Sequence, residues 1–340
     1  MKKVSLTKLT DLFKKVSESM NVYAPIEKAD KVNFDKWDEN SKVRLDELKT
    51  VKSAKDLFFP QIEDIATFTR NGKNVTVEAA DGCNEKFVIF GVRACDAASF
   101  KLLDKVFLAD PVDTYYQARR ENGIIVSLAC GEPEESCFCK VFGIDATQPD
   151  GDVIAWIVDD TLYLKENTEK GKEFMAAIAS LTEDSDEAKV EEARKATKEI
   201  IEKLPNSNLD ISMFTGDTTD KYFNSPKWEE LYKACLGCGT CTFVCPTCQC
   251  YDIRDYDNGH GIQRFRCWDS CMRSDFTLMA SGNPRTSQLE RFRQRFMHKL
   301  VYFPANNDGA HLCVGCGRCL DKCPVSLNIV KVIKALGEEK

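Results

Sequence analysis

Eight cysteines in two copies of one pattern carry the most specific chemistry in this chain. Residues 235–241 read Cys-Leu-Gly-Cys-Gly-Thr-Cys and residues 313–319 read Cys-Val-Gly-Cys-Gly-Arg-Cys. Each is followed after three residues by Cys-Pro, at 245–246 and 323–324. The spacing Cys-x2-Cys-x2-Cys-x3-Cys-Pro suits a 4Fe–4S cluster. Three thiolates come from one tight loop that wraps a face of the cube. Gly237, Gly239, Gly315 and Gly317 let the backbone turn sharply and approach the cluster. The fourth cysteine is carried away from that loop, and in two-cluster proteins it ligates the other cluster. The expected sets are therefore Cys235, Cys238 and Cys241 with Cys323, and Cys313, Cys316 and Cys319 with Cys245. Two clusters held by interlocked loops sit close together, which suits one-electron relay. Zinc prefers four thiolates arriving as separated Cys-x2-Cys pairs, which is not the pattern here.

Nine further cysteines complete a total of 17. Cys95 follows the apolar run 87–92, and Cys130 follows the run 124–128. Cys137 and Cys139 come shortly after. Two strand ends and one loop thus offer the four thiolates that a third cluster needs. The alternative is packing, because a free cysteine behaves as a small hydrophobe. Cys248 and Cys250 follow the first Cys-Pro, with Cys267 and Cys271 about 20 residues on. They read either as a fourth cluster site or as packing beside the first two. Cys83 lies in a turn without an evident partner.

A chain this rich in cysteine but unsecreted points to metal rather than disulfides. The only histidines are His260, His298 and His311, too few for an imidazole-rich site. The first 20 residues lack a signal-peptide pattern and read as an amphipathic helix with Leu6, Leu9, Leu12 and Phe13 on one face. No apolar run reaches membrane-spanning length, so the expected location is the cytoplasm. A formal net charge of -7 argues against nucleic acid. Neither G-x-G-x-x-G nor G-x-x-x-x-G-K-[ST] occurs, so no dinucleotide or nucleotide fingerprint is present. A basic stretch runs through Arg264, Arg266, Arg273, Arg285, Arg291, Arg293, Arg295 and Lys299. It reads either as a docking face for an acidic partner, with 285–299 part of it, or as a solvated helix face plus arginine–carboxylate packing around the clusters.

The elements that must position these thiols divide the chain in two. The expected fold class is α+β. Residues 1–220 form a mixed α/β domain, with strand-like runs at 75–77, 87–92, 124–128, 153–158 and 162–164. Asn71-Gly72 marks a turn between strands. The Ala-, Glu- and Lys-rich stretch 172–203 reads as one or two helices, and 205–226 reads as a linker. Residues 221–340 form an α-helical ferredoxin-like domain with almost no strand signal. Helices are expected to fill the gap between the two cysteine motifs.

Several segments together resemble one family. They are Asp-Leu-Phe-Phe-Pro-Gln at 56–61, Gly-Val-Arg-Ala-Cys-Asp at 91–96, Cys-Phe-Cys at 137–139, Cys-Pro-Thr-Cys-Gln-Cys at 245–250, Trp-Asp-Ser-Cys-Met at 268–272 and the second cluster motif. That family contains the beta subunit of soluble nickel–iron hydrogenases (sulfhydrogenases) and the corresponding iron–sulfur subunit of anaerobic sulfite reductase. The resemblance covers about residues 20 to 335. It implies an electron-transfer subunit between a flavoprotein that handles NAD(P)H and a catalytic subunit carrying nickel–iron or sirohaem. It also implies that Cys95, Cys130, Cys137, Cys139, Cys248, Cys250 and Cys271 match family cysteines, whereas Cys83 and Cys267 do not. A different class of function stays open. In it the chain is a reductase in its own right, with a substrate or flavin site near Cys95 and Cys130.

Overall fold

The computed structural model describes residues 1–259 and 261–338; His260 lies outside the described residues. In chain order its strands are β1 (Lys2–Ser5), β2 (Asn21–Lys28), β3 (Lys31–Lys36), β4 (Ile62–Asn71), β5 (Asn74–Ala79), β6 (Phe87–Arg93), β7 (Gly123–Leu128), β8 (Val153–Val158), β9 (Thr161–Glu166), β10 (Glu183–Asp184), β11 (Tyr251–Asp257) and β12 (Ile262–Trp268).

An eight-stranded sheet runs in the order β10-β1-β9-β8-β7-β6-β2-β3. Its centre, β2, β6, β7 and β8, is parallel, and the outer pairs are antiparallel. Every residue of β6 and β7 is buried, as continuous apolar runs require of strands covered on both faces. Val88 and Phe90 face the core under α1 (Leu9–Ser17), whose Leu12, Phe13 and Val16 cover them. Phe87 and Ile89 face the other way, towards Phe100, Leu103 and Phe107 of α2 (Ala94–Phe107) and Tyr116 of α3 (Thr114–Asn122). Each such buried side chain contributes about 1.5–3 kcal/mol. The expected strands are all present. The N-terminal helix is preceded by β1, and the stretch 172–203 forms two helices, α4 (Glu169–Ala177) and α5 (Ala188–Glu202).

The C-terminal part departs from the all-helical expectation. Tyr251–Asp257 and Ile262–Trp268 pair as the antiparallel hairpin β11–β12. β12 then pairs with β4, and β4 with β5, giving a second sheet of order β11-β12-β4-β5. Strands therefore pair across residue 220, and the two expected regions share a sheet. Helices do follow in the second half of the gap, at Gln288–Met297 and beyond. The reason for the departure lies in side-chain pairing. β11 carries Asp252, Arg254, Asp255 and Asp257 and looks too polar for a strand. Its charge is met across the ladder, where Arg264 donates to Asp255 at 2.7 and 2.8 Å. The Asn71-Gly72 expectation holds: Asn71 faces Asn74 across a two-residue turn with Gly72 at φ +62°.

Buried ion pairs lock the two regions. Arg266 of β12 meets Glu63 of β4, and also Asp113 beside α3. Arg318, between the last two cysteines of the second motif's loop, forms a bidentate pair with Asp96 of α2 at 2.6 and 2.8 Å, both side chains being about 2% exposed or less. Its Nε donates to Thr50 O at 2.9 Å. Losing one partner of such a pair leaves an uncompensated buried charge. Asp96→Ala should therefore destabilise the protein by about 3–5 kcal/mol in denaturant titrations. The double variant Asp96→Leu/Arg318→Met should recover most of that loss.

Candidate iron–sulfur centres

Each cysteine motif forms a tight loop whose two glycines take positive φ: Gly237 and Gly239 in the first, Gly315 and Gly317 in the second. Around one cavity stand Cys235, Cys238, Cys241 and Cys323, with Met272, Phe292 and Phe296 as apolar walls. Around a second stand Cys313, Cys316, Cys319 and Cys245, with Phe138 and Ile329. Each loop of three thiols is thus completed by the cysteine that follows the other loop. Among the described residues, no three Cys, His, Asp or Glu side chains converge tightly enough to chelate one ion. A tetrahedral zinc would need thiolates about 3.8 Å apart. A cavity ringed by four spaced thiols fits a polynuclear group instead.

The second site is set by one unusual turn. Residues His298–Tyr302 form a π-helical turn in which Phe303 N–H donates to His298 O. The carbonyl of Lys299 would next look to residue 304, but that residue is a proline without an N–H. Lys299 O accepts instead from Leu312 N at 2.9 Å, just before Cys313. The Lys299 ammonium is buried and donates to Leu312 O at 3.0 Å, Thr247 Oγ1 at 2.8 Å and Cys245 Sγ at 3.4 Å. One lysine therefore ties Cys245 to the chain entering the other motif. Burial pushes its pKa down, but the surrounding cysteines, Cys245 first, push it up and prevail. In turn the Cys248 thiol, followed by Lys299 and Thr247, holds Cys245 well below its ordinary value, despite burial. The form favoured is the thiolate, which is the metal ligand. Burial pushes Cys313 up to about 12.

Buried polar groups test whether the residues suit clusters. Arg295 is buried, and its Nε and Nη1 find no partner. Arg295 lines both cavities. Acceptors on a cluster would satisfy those donors. Thiols, unpaired donors and glycine loops together fit an iron–sulfur group at each cavity.

The structure also gathers Cys95, Cys130, Cys137 and Cys139. Cys95 opens α2 directly after β6, Cys130 lies just beyond β7, and Cys139 begins a 3₁₀ turn. Burial, with Cys130 and Cys137 nearby, pushes Cys139 up to about 12. Cys316 acts on Cys95, so this set adjoins the second cavity. Gly315 makes the contact intimate: a Cβ there would lie 2.4 Å from Phe138 O, between Cys137 and Cys139.

Cys248, Cys250 and Cys271 also come together. Cys248 pairs with Cys245, and a hydrogen bond from Cys271 holds Cys250 down to about 7. Lys55, beside the segment 56–61 that carries part of the resemblance, reaches in from the N-terminal region. Its ammonium donates to Cys248 O at 2.7 Å and Cys245 O at 3.2 Å, and sits 3.7 Å over the Trp268 ring. Lys55 went unremarked in the sequence, where only its neighbours stood out. Cys267 does not join. It sits in the hairpin opposite Asp252 and Ile62, near Arg254. Cys83 Sγ faces Glu85 O at 3.6 Å.

A docking face along 285–299 is corrected. Arg295 and Lys299 point inward, and Arg266 is buried against Glu63. Arg291 caps the backbone carbonyls of Arg285 and Thr286, while Arg293 stacks 3.7 Å from the Phe223 ring. Arg295 and Lys299 line the cavities, while Arg264 and Arg266 are paired within the second sheet and its surroundings.

Gly315 and Gly237 allow a direct test of these loops. Gly237→Ala meets only the Gln288 side chain, at 3.7 Å. It should cost about 1–2 kcal/mol for its left-handed backbone. Gly315→Ala meets backbone at 2.4 Å, so it should cost more than that and also disturb the Cys137–Cys139 loop. Denaturation midpoints of the two holoproteins, compared side by side, check the order.

Comparison with known proteins agrees with this geometry. Residues 234–327 match the 4Fe–4S dicluster domain family. The chain is 34% identical over 332 residues to sulfhydrogenase 2 subunit beta of Pyrococcus furiosus, covering 96% of both chains. No solved structure matches it. Among the described residues, no helix is long and apolar enough to cross a membrane. The chain belongs to the family of sulfhydrogenase beta subunits.

Proposed function

We propose that this chain is the iron–sulfur electron-transfer subunit of a soluble redox complex. It relays single electrons between a flavoprotein that handles NAD(P)H and a catalytic subunit of the nickel–iron hydrogenase or sulfite reductase type. The relative's name favours the hydrogenase. Residues 221–340 carry two sites: Cys235, Cys238, Cys241 and Cys323 hold one cluster, and Cys313, Cys316, Cys319 and Cys245 the other. The observation that carries this reading is the crossed pair of four-thiol cavities, which share Arg295 as a wall. Cys95, Cys130, Cys137 and Cys139 form a third site in the region 1–220. Cys248, Cys250 and Cys271 offer three more thiols beside Cys245.

A bound cluster accepts and gives up one electron without making or breaking a bond in a substrate. The chain supplies the rest. It holds the thiolates, packs Phe138, Phe292 and Phe296 against the cavities to exclude water, and sets buried cations beside them. NAD(P)H gives up a hydride, so a flavin must convert two-electron into one-electron chemistry. No fingerprint for that cofactor occurs here, so it belongs to another subunit. The reductase alternative has one observation in its favour. A cavity of about 660 Å³ opens beside the ends of β6 and β7, lined by Arg93, Leu128, Ala129 and Gly131.

Iron and acid-labile sulfide assays on the anaerobically reconstituted chain should approach about twelve of each, and at least about eight. A value near four, or stoichiometric zinc, overturns the reading. In the same full-length chain, Cys245→Ser should alter the EPR signal of the cluster held by Cys313, Cys316 and Cys319 while leaving that of Cys235, Cys238 and Cys241. The loaded chain alone should show broad charge-transfer absorption without flavin bands, and should not reduce dyes with NAD(P)H. Robust NAD(P)H-dependent dye reduction without a flavoprotein would promote the alternative.

A further inference from the structure

Arg295 stands apart from the other buried arginines among the described residues. Arg318 faces Asp96, Arg266 faces Glu63 and Asp113, and Arg93 donates to the carbonyls of Ala129, Leu45 and Glu47. Arg295 is 3% exposed and forms no ion pair with a carboxylate among the described residues. Its Nη2 donates weakly to Cys241 O at 3.4 Å, and its guanidinium lies 4.4 Å from the Phe296 ring. The Nε and Nη1 donors are unpaired. Burying a guanidinium in this way is expensive unless an anion meets it. Arg295 lines both cavities, the one with Cys241 and the one with Cys319.

Lys299 lies one helical turn on and sharpens the contrast. Its three donors are all satisfied, by Cys245 Sγ, Thr247 Oγ1 and Leu312 O. It lines only the second cavity. Lys299 is complete as a tie in the fold. Arg295 touches Cys319 and Cys241 O but keeps two further donors, Nε and Nη1, for an anion. A cluster with four thiolates is such an anion, and reduction adds one more negative charge.

We infer that Arg295 is a shared electrostatic control: one guanidinium between the two cavities raises the reduction potentials of both clusters together. This rests on the cluster reading above. Each reduction brings in one electron from an external donor, with no bond or proton exchanged. The positive charge favours the more negative, reduced state on either side. A shared cation keeps the two potentials in step, so neither site becomes a trap for the electron passing between them.

The test is a mediated redox titration of the full-length holoprotein followed by EPR. The variants are Arg295→Gln, which removes the charge, and Arg295→Lys, which keeps it. Arg293→Gln, on the outer face of the same helix, is the control. Iron content is measured first. If the parent protein lacks about eight iron per chain, the cluster reading fails and not this inference alone. With clusters present, Arg295→Gln should lower the reduced-to-oxidised ratio of both about tenfold at a fixed ambient potential, a fall of about 59 mV for one-electron couples. Arg295→Lys should stay within about threefold of the parent, a range of about 28 mV on that scale, and Arg293→Gln should not move. Potentials unchanged in Arg295→Gln, or changed at one cluster only, overturn the inference. If Arg295→Gln does not load, Arg295→Lys decides alone: a tenfold change in either ratio overturns it, and retention of both supports it.

Discussion

The buried pair between Arg318 and Asp96 is the contact on which the arrangement of sites depends. Asp96 follows Cys95 in the first turn of α2, and Arg318 lies between Cys316 and Cys319. The pair therefore fixes a cysteine of the N-terminal set against the loop of the second motif. Its net contribution to stability is modest, because both ions give up hydration. What it supplies is register. Two planar, bidentate groups meet in one orientation only. Arg318 also reaches Thr50 through Nε, which draws in the segment after β3. Lys49, next to Thr50, meets Glu134 at 2.6 Å on the loop before Cys137, and also meets Asp321. Four stretches far apart in sequence are clamped around one point, and the thiols arrive with them.

Around that clamp, the protein handles charge unusually for an acidic chain. Its surface carries the acidic excess, while Lys55, Arg295, Lys299 and Arg318 are turned inward. Cations are seldom fully buried unless paired. Here the partners are of two kinds. Arg318 has a carboxylate. Lys55, Lys299 and Arg295 have backbone carbonyls, hydroxyls or sulfur. Four of the eight cavity thiols, Cys241, Cys313, Cys316 and Cys319, are pushed towards the neutral form by burial. Buried cations oppose that tendency locally, as at Cys245. The interior is therefore arranged for negative charge that the polypeptide alone does not supply, and the family's dicluster domain gives that charge a chemical identity.

Much of this was legible in the sequence, for reasons of range. The cysteine spacing is a local signal, and two full copies read at once as interlocked loops. The central strands were legible because burial on both faces demands continuous apolar runs. The β11–β12 hairpin was missed because its charges compensate across strands, which a linear reading scores as polarity. Asn258-Gly259 between Tyr251/Ile253 and Ile262/Phe265 was the available clue. The docking reading of 285–299 failed on periodicity. Phe292, Arg295, Phe296 and Lys299 fall at i, i+3, i+4 and i+7, a single buried face. Two cations on that face, in a stretch between cysteine motifs, signal an anion within. No local pattern tells that Arg318 would meet Asp96, since that pairing exists only in the fold.

The sites also differ in their access to solvent, and this bears on how a relay would be entered. Among the cysteines, Cys238 alone is exposed. It lies in the first cavity, beside Leu236, which is 64% exposed. Beyond that cavity, Arg295 and Cys319 lead to the second, and Cys316 leads to Cys95 and the N-terminal set. The order is a row that starts near solvent at Cys238 and crosses both regions of the chain. The shared sheet and the Arg318–Asp96 pair then have a common consequence. They keep one end of the row attached to the other, so that the spacing between sites is a property of the folded chain and not of a flexible linker. A relay whose steps are fixed in this way can leave the choice of donor and acceptor to the surfaces at its ends.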